Sequence, residues 1–203
     1  MNQPAANNEA EVTLPPPVAK PIGIPWTIIT ALVFVVLDLW TKRTIFIAVP
    51  PAEPYDPRVH LFQLTQVWSE YSWLEPHWNT GTAWSMFSSV PGIVTIITLI
   101  LIPAIIWYWY ASFRHQRAPS LAMGGIIGGA LGNAWDRVLA QLDTPGIMGV
   151  RDFIHIDLNM VGIDYTWPTF NIADMGITGG AIVLIAHQLF FAPAADRNVH
   201  SPN

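Results

Sequence analysis

Four stretches of the chain are apolar over about the 20 residues that a membrane-spanning helix requires. They cover residues 24–49, 90–113, 119–139 and 172–192. The first is interrupted late by Asp38, Lys42 and Arg43, and the second carries no charge. The third is uncharged up to Asp136, and the fourth has Asp174 at its start. This pattern predicts an all-α membrane protein with four transmembrane helices, contained in one domain over residues 22–195. Residues 1–21 are polar and Pro-rich, with no Lys or Arg before Lys20. They are expected to form a disordered tail, and they lack the basic n-region of a secretory signal. Residues 196–203 are expected to form a second tail.

Between the first two apolar stretches, residues 50–89 form a long connection rich in aromatics, among them Trp68, Tyr71, Trp73, Trp78 and Trp84. Such side chains favour the water–lipid boundary. Partial alternation at 61–67 and 82–87 predicts short strands, hence a small β-element lying on the membrane. In the third helix Gly124, Gly128 and Gly132 form one stripe, with Gly125 and Gly129 beside it; Gly176 and Gly180 repeat the spacing in the fourth. Small residues four apart allow close helix packing in lipid, so these glycines are read as structural.

Composition agrees with this picture. Hydrophobic residues make up 52% of the chain and charged residues only 11%, where a soluble domain carries about 25% charged residues. The net charge is -5 with no basic run, which argues against a nucleic-acid partner. There is no cysteine, so disulfides, thiolate nucleophiles and Cys-ligated metal are excluded. No H-E-x-x-H or G-x-S-x-G motif occurs, and no metal or other cofactor is expected.

The acids carry the chemistry. Successive spans alternate in direction, so the end of helix one (Asp38), the end of helix three (Asp136), the loop that follows (Asp152) and the start of helix four (Asp174) face the same side. Intramembrane acids usually have a partner or a function. Taken singly, each has a plain alternative. Asp38 can pair with Lys42 at i, i+4, and Asp136 with Arg137 or a neighbouring helix. Asp174 can serve the helix macrodipole, and Asp152 can be a loop acid. Four on one face weaken those readings jointly. Asn133 and Asn171 each precede an acid by three residues, offering an amide beside Asp136 and Asp174.

Five segments, in order, resemble the bacterial lipoprotein signal peptidases (signal peptidase II). LDLWTK at 37–42 is similar to the family's D-x-x-T-K, and NTGTAWSMF at 79–87 to its N-x-G-x-A-[FW]-S. GGALGNAWDR at 128–137 is similar to G-N-x-x-D-R, RDFI at 151–154 to V-x-D-F-I, and FNIAD at 170–174 to F-N-x-A-D. The resemblance implies four helices with both termini cytoplasmic, a periplasmic β-cradle, and an active site near the periplasmic face of the bacterial inner membrane. It implies an aspartic endopeptidase that cuts diacylglyceryl-modified prolipoproteins just before the lipidated Cys, in contact with membrane lipid. The catalytic pair falls on Asp152 and Asp174, and the supporting residues on Asp38, Lys42, Asn79, Asn133, Asp136, Arg137 and Asn171. The chain departs from the pattern at 68–78, which looks inserted, at the long link 138–151, where Asp143 competes with Asp152, and at Arg151, where an apolar residue is usual. The rival readings are a small proton-coupled transporter and a non-catalytic scaffold binding lipidated peptides.

Overall fold

The computed structural model describes residues 19–47, 74–79, 92–140 and 149–191. In chain order these form α1 (Gly23–Ile47), β1 (Leu74–Asn79), α2 (Ile93–Phe113) and α3 (Arg117–Trp135). A π-helical turn (Asp136–Ala140), β2 (Val150–Asp157), a 3-10 turn (Leu158–Val161), β3 (Thr166–Phe170) and α4 (Ile172–Phe190) complete the order. The four helices therefore lie where the apolar pattern puts them. Most of both expected tails, the strands expected at 61–67 and 82–87, and Asp143 fall outside the described residues.

Among the described residues three helices are long and apolar enough to cross a membrane: α1 over Gly23–Phe46, α2 over Ile93–Phe113 and α4 over Ile172–Phe190. Their outer faces expose large apolar side chains, such as Leu32, Val36 and Trp40 on α1, Ile96 and Ile100 on α2, and Ile182 and Ile185 on α4. That surface suits lipid and not water. α3 is not among the three. It is the enclosed helix, with most of its residues from Pro119 to Ala134 buried, so its surroundings are protein and its glycines lower its hydropathy without exposing it.

The glycines explain how α3 is enclosed. Gly124, Gly128 and Gly132 lie against α1: a Cβ on Gly128 would stand 2.6 Å from the Ala31 carbonyl oxygen, and one on Gly132 would strike the Asp38 carboxylate. The second stripe lies against α4, where Gly125 meets the Gly176 carbonyl oxygen and Gly129 meets that of Ala173. One helix thus serves two neighbours through two rows of missing side chains. α2 is held differently, by Trp109 and Phe113 packed on Met123 and Ile127. At that end Trp109 Nε1 donates to Ser120 Oγ (3.1 Å), Ser120 Oγ donates to the Phe113 carbonyl (2.9 Å), and Thr27 Oγ1 donates to the Ser120 carbonyl (2.8 Å).

The sheet corrects the expected layout. It is antiparallel with order β1-β2-β3, and two of its strands come from the second long connection, which the sequence pattern leaves as loop. β2 escapes a search for alternation because Asp152 and Phe153, adjacent in sequence, are both buried. β1 lies in the stretch that looks inserted except for its last residue, Asn79, and pairs His77 with Asp152, Trp78 with Arg151 and Asn79 with Val150. β3 pairs with the far edge of β2, Phe170 opposite Ile154, and leads into α4.

The close approach of α3 to α1 can be tested directly. Gly128→Ala must push against backbone atoms of Ala31, and is expected to destabilise the protein by about 1–3 kcal/mol, the usual range for overpacking. Gly179→Ala meets nothing within 4 Å and is expected to be neutral or stabilising. Thermal unfolding of both variants in detergent checks this; equal melting temperatures would remove the packing role.

Candidate active site

The polar end of the bundle starts from Lys42. Its side chain is fully buried on α1, and Nζ donates to Asp38 Oδ2 (2.7 Å) and Asn133 Oδ1 (3.0 Å). Asp136 Oδ2 lies 3.2 Å from the same nitrogen. The i, i+4 spacing of Asp38 and Lys42 builds the first contact within one helix; the others join α1 to α3. Asp38 Oδ1 accepts the Ala173 backbone N–H (2.9 Å), a donor that the first turn of α4 leaves unused within the helix. One buried carboxylate thereby ties α1 to α4.

Asn171 caps α4. Its side-chain oxygen accepts from the Asp174 N–H (2.9 Å), and the Asp174 carboxylate accepts from the Asn171 N–H (3.2 Å), a reciprocal capping box. This leaves the Asn171 amide nitrogen free to donate elsewhere. It donates to Asp152 Oδ1 (2.6 Å) and to Asn133 Oδ1 (3.0 Å). Asn133 in turn donates to Asp174 Oδ1 (2.8 Å). The expectation that each asparagine amide serves the acid three residues later is therefore corrected. Asn133 serves Asp174, not Asp136, and Asn171 serves Asp152. The capping box engages Asn171 with Asp174 through backbone donors, and Lys42 and Arg151 take up Asp136, so the amides cross over.

Asp152 projects from β2 and is 1% exposed. Besides Asn171 it accepts from Asn79 Nδ2 of β1 (2.9 Å). Asp174 is half-buried. Burial, with the charge of Asp174 adding to it, pushes the Asp152 carboxyl up to about 7, against the hydrogen bonds from Asn79 and Asn171 and the charge of Lys42. Asp136 is fully buried, and the sheet reaches it through Arg151, whose Nη2 donates to Oδ1 at 2.6 Å. Arg137, on the π-turn, sits within electrostatic reach of Asp174, Asp152 and Asp136.

All nine residues singled out in the sequence thus meet at one end of the bundle. What sequence reasoning missed is Arg151, treated only as a departure, and the Ala173 N–H. An Arg directly before a candidate acid was the available signal for the first; a backbone donor leaves none. Trp78 adds an edge-to-face contact with Phe46, closing β1 onto the end of α1 (5.5 Å between centroids). Among the described residues no group of three or more His, Cys, Asp or Glu could hold a metal ion; the carboxylates are taken up by Lys, Arg and Asn donors.

Known proteins resemble this chain in sequence and in fold. Residues 30–190 match the family described as signal peptidase (SPase) II. The lipoprotein signal peptidase of Geobacillus kaustophilus (strain HTA426) is 31% identical over 167 residues, covering 81% of this chain and 93% of the relative. That of Aquifex aeolicus (strain VF5) is 37% identical over 126 residues, covering 61% of this chain and 69% of the relative. Among solved structures, a bacterial membrane enzyme determined by the in meso method at 2.3 Å superposes with a TM-score of 0.63 at 25% identity, covering 91% of this chain and 100% of that one. A second, determined at 1.9 Å, gives 0.60 at 28% identity over 83% and 95% of the two chains. The family match spans α1 to α4 and every residue of the polar cluster, and the chain belongs to the signal peptidase II family.

Proposed function

We propose that this chain removes signal peptides from prolipoproteins as an aspartic peptidase, cutting before a Cys that carries diacylglycerol. Family membership supports the peptidase activity and the substrate class. The observation that carries the mechanism is the pair Asp152 and Asp174, bridged by the amides of Asn171 and Asn133. Around it stand four carboxylates (Asp38, Asp136, Asp152, Asp174) and three cations (Lys42, Arg137, Arg151). That set leaves one negative charge, and a single shared proton neutralises it. Two neighbouring carboxyls with one proton between them are what an aspartic peptidase needs.

In this reading Asp152 holds the proton and Asp174, which reaches the surface, is ionised. Asp174 takes a proton from water as the water oxygen attacks the scissile carbonyl, and Asp152 gives its proton to the carbonyl oxygen. As the tetrahedral diol collapses, Asp174 passes its proton to the leaving amine nitrogen and Asp152 recovers one from the diol. Products leave and the dyad returns to its starting state. The transporter reading finds less support. Asp38, Asp136, Asp152 and Asp174 gather at one end of the bundle, whereas the opposite end carries the neutral set Thr27, Trp109 and Ser120.

For the membrane arrangement we infer that α3 spans together with α1, α2 and α4, that both termini are cytoplasmic, and that the dyad lies near the periplasmic face of the inner membrane. The short basic connection Arg114–Arg117 supports this orientation. Alkaline phosphatase fused after Asp196 is then expected to be inactive and the same reporter within residues 50–89 active. An active C-terminal fusion would reverse the orientation.

Asp152→Asn and Asp174→Asn are each expected to abolish cleavage of a diacylglyceryl-modified prolipoprotein at wild-type membrane abundance. The double variant should be no worse than either single, because members of one catalytic unit are not additive. Substantial turnover by either single variant refutes the assignment. The pH profile follows from the same site. Activity requires Asp152 to keep its proton, so kcat should fall as pH rises through about 7. A rate that stays level from neutral to alkaline pH would exclude Asp152 as the acid.

A further inference from the structure

Arg151 stands immediately before Asp152 on β2, and its contacts exceed those of an ordinary ion pair. Nε (3.1 Å) and Nη2 (2.6 Å) both donate to Asp136 Oδ1, and the backbone N–H of the same residue donates to Asp136 Oδ2 (3.0 Å). Its carbonyl oxygen accepts from Asn171 Nδ2 (3.3 Å). Residue 151 is thus held at its side chain, its N–H and its C=O, by groups on the π-turn and on α4. The peptide unit that carries Asp152 has little freedom left. We infer that Arg151 is a positioning residue for peptide hydrolysis: it fastens β2 to the buried Asp136, and thereby fixes where the Asp152 carboxyl stands and how much negative charge surrounds it. This rests on the reading of Asp152 as catalytic.

Two physical consequences separate this role from simple stabilisation. The first is geometric. A displacement of about 1 Å in a reacting group can cost on the order of 100-fold in rate, and Arg151 anchors β2 to the π-turn directly beside Asp152. The second is electrostatic. Without Arg151, Lys42 faces Asp38 and Asp136 together, and one uncompensated negative charge is left near the dyad. Asp152 is acted on by Asn79 of β1, by Asn171 and Asp174 of α4, by Lys42 of α1 and by Arg137 of the π-turn, and behind Lys42 stand Asp38 of α1, Asn133 of α3 and Asp136 of the π-turn. Removing Arg151 leaves Asp136 less compensated and adds to the negative charge around the dyad, which then holds its proton to higher pH.

The test compares Arg151→Met, Arg151→Lys and Asp136→Asn/Arg151→Met with wild type, using a diacylglyceryl-modified prolipoprotein and the purified full chain in detergent. Arg151→Met is expected to lower kcat by about 10- to 100-fold, to leave KM within about twofold, and to move the alkaline limb of the pH profile upward. Arg151→Lys keeps the charge but loses the forked contact. Its limb should stay at the wild-type position, with kcat between wild type and the Met variant. The double variant should be no slower than Asp136→Asn alone, since Arg151 acts through that carboxylate. Unchanged kcat in Arg151→Met overturns the inference, as does a lower melting temperature with kcat per folded enzyme and pH profile unmoved. If Arg151→Met does not accumulate, Arg151→Lys decides: wild-type kcat there overturns the positioning role. Asp152→Asn in the same assay separates the two readings. Its residual turnover would refute the dyad itself, whereas a dead Asp152→Asn beside an unaffected Arg151→Met refutes only the role of Arg151.

Discussion

A single buried cation organises the polar end of this protein. Lys42 is completely enclosed, and its three donor directions are taken by Asp38, Asn133 and Asp136. A lone ammonium in such a place would be too costly to bury, and the acids beside it would be equally costly without it. Each therefore requires the others. Removing one partner from a buried pair typically costs about 3–5 kcal/mol, because a charge is left without compensation. The arrangement joins α1 to α3 through side chains. Asp38, held by the lysine, then reaches the first turn of α4 through the Ala173 N–H. Three helices are thus bound to one charge cluster.

Apolar burial cannot do this work in lipid, where an exposed leucine is as comfortable as a packed one. The bundle uses two other means. Along most of its length α3 presents glycines, which let the backbones of α1 and α4 come close enough for dispersion contacts. At one end it presents Asn133 and, on the π-turn, Asp136, and hydrogen bonds take over. The change from small to polar residues along one helix marks the change from packing to chemistry. Gly132 shows the junction, because its missing side chain makes room for the Asp38 carboxylate.

The sheet supplies what the helices cannot. A carboxyl on a spanning helix would be tied to lipid depth, whereas Asp152 on β2 is carried to the dyad by a strand that pairs on both edges. Asn79 reaches it from β1 and Asn171 from the cap of α4. Asp152 and Asp174 therefore arrive from different kinds of element, and the amides of Asn171 and Asn133 bridge them. Each amide has several partners, and none of those contacts spans more than 3.3 Å.

Much of this was legible in the residue string. Apolar runs near 20 residues locate the helices because a bilayer imposes their length, and parity alone brings Asp38, Asp136, Asp152 and Asp174 to one side. The i, i+4 pair of Asp38 and Lys42 is local and could be read directly. Strand β2 could not, because burial of both Asp152 and Phe153 breaks the alternation that marks a strand, and β3 shows no alternation either, its first three residues being exposed. Nor could the crossing of the asparagines: the N-x-x-D spacing puts each amide near its own acid, and only the capping box of α4 and the approach of α3 redirect them. Arg151 was visible as an oddity, but its partner lies 15 residues away across the link between π-turn and strand. Sequence determined which residues could be charged inside a membrane and on which side, because solvation and helix length act locally. Tertiary structure decided which donor meets which acceptor, because that choice depends on how closely glycine-lined helices approach and on where the sheet edge falls.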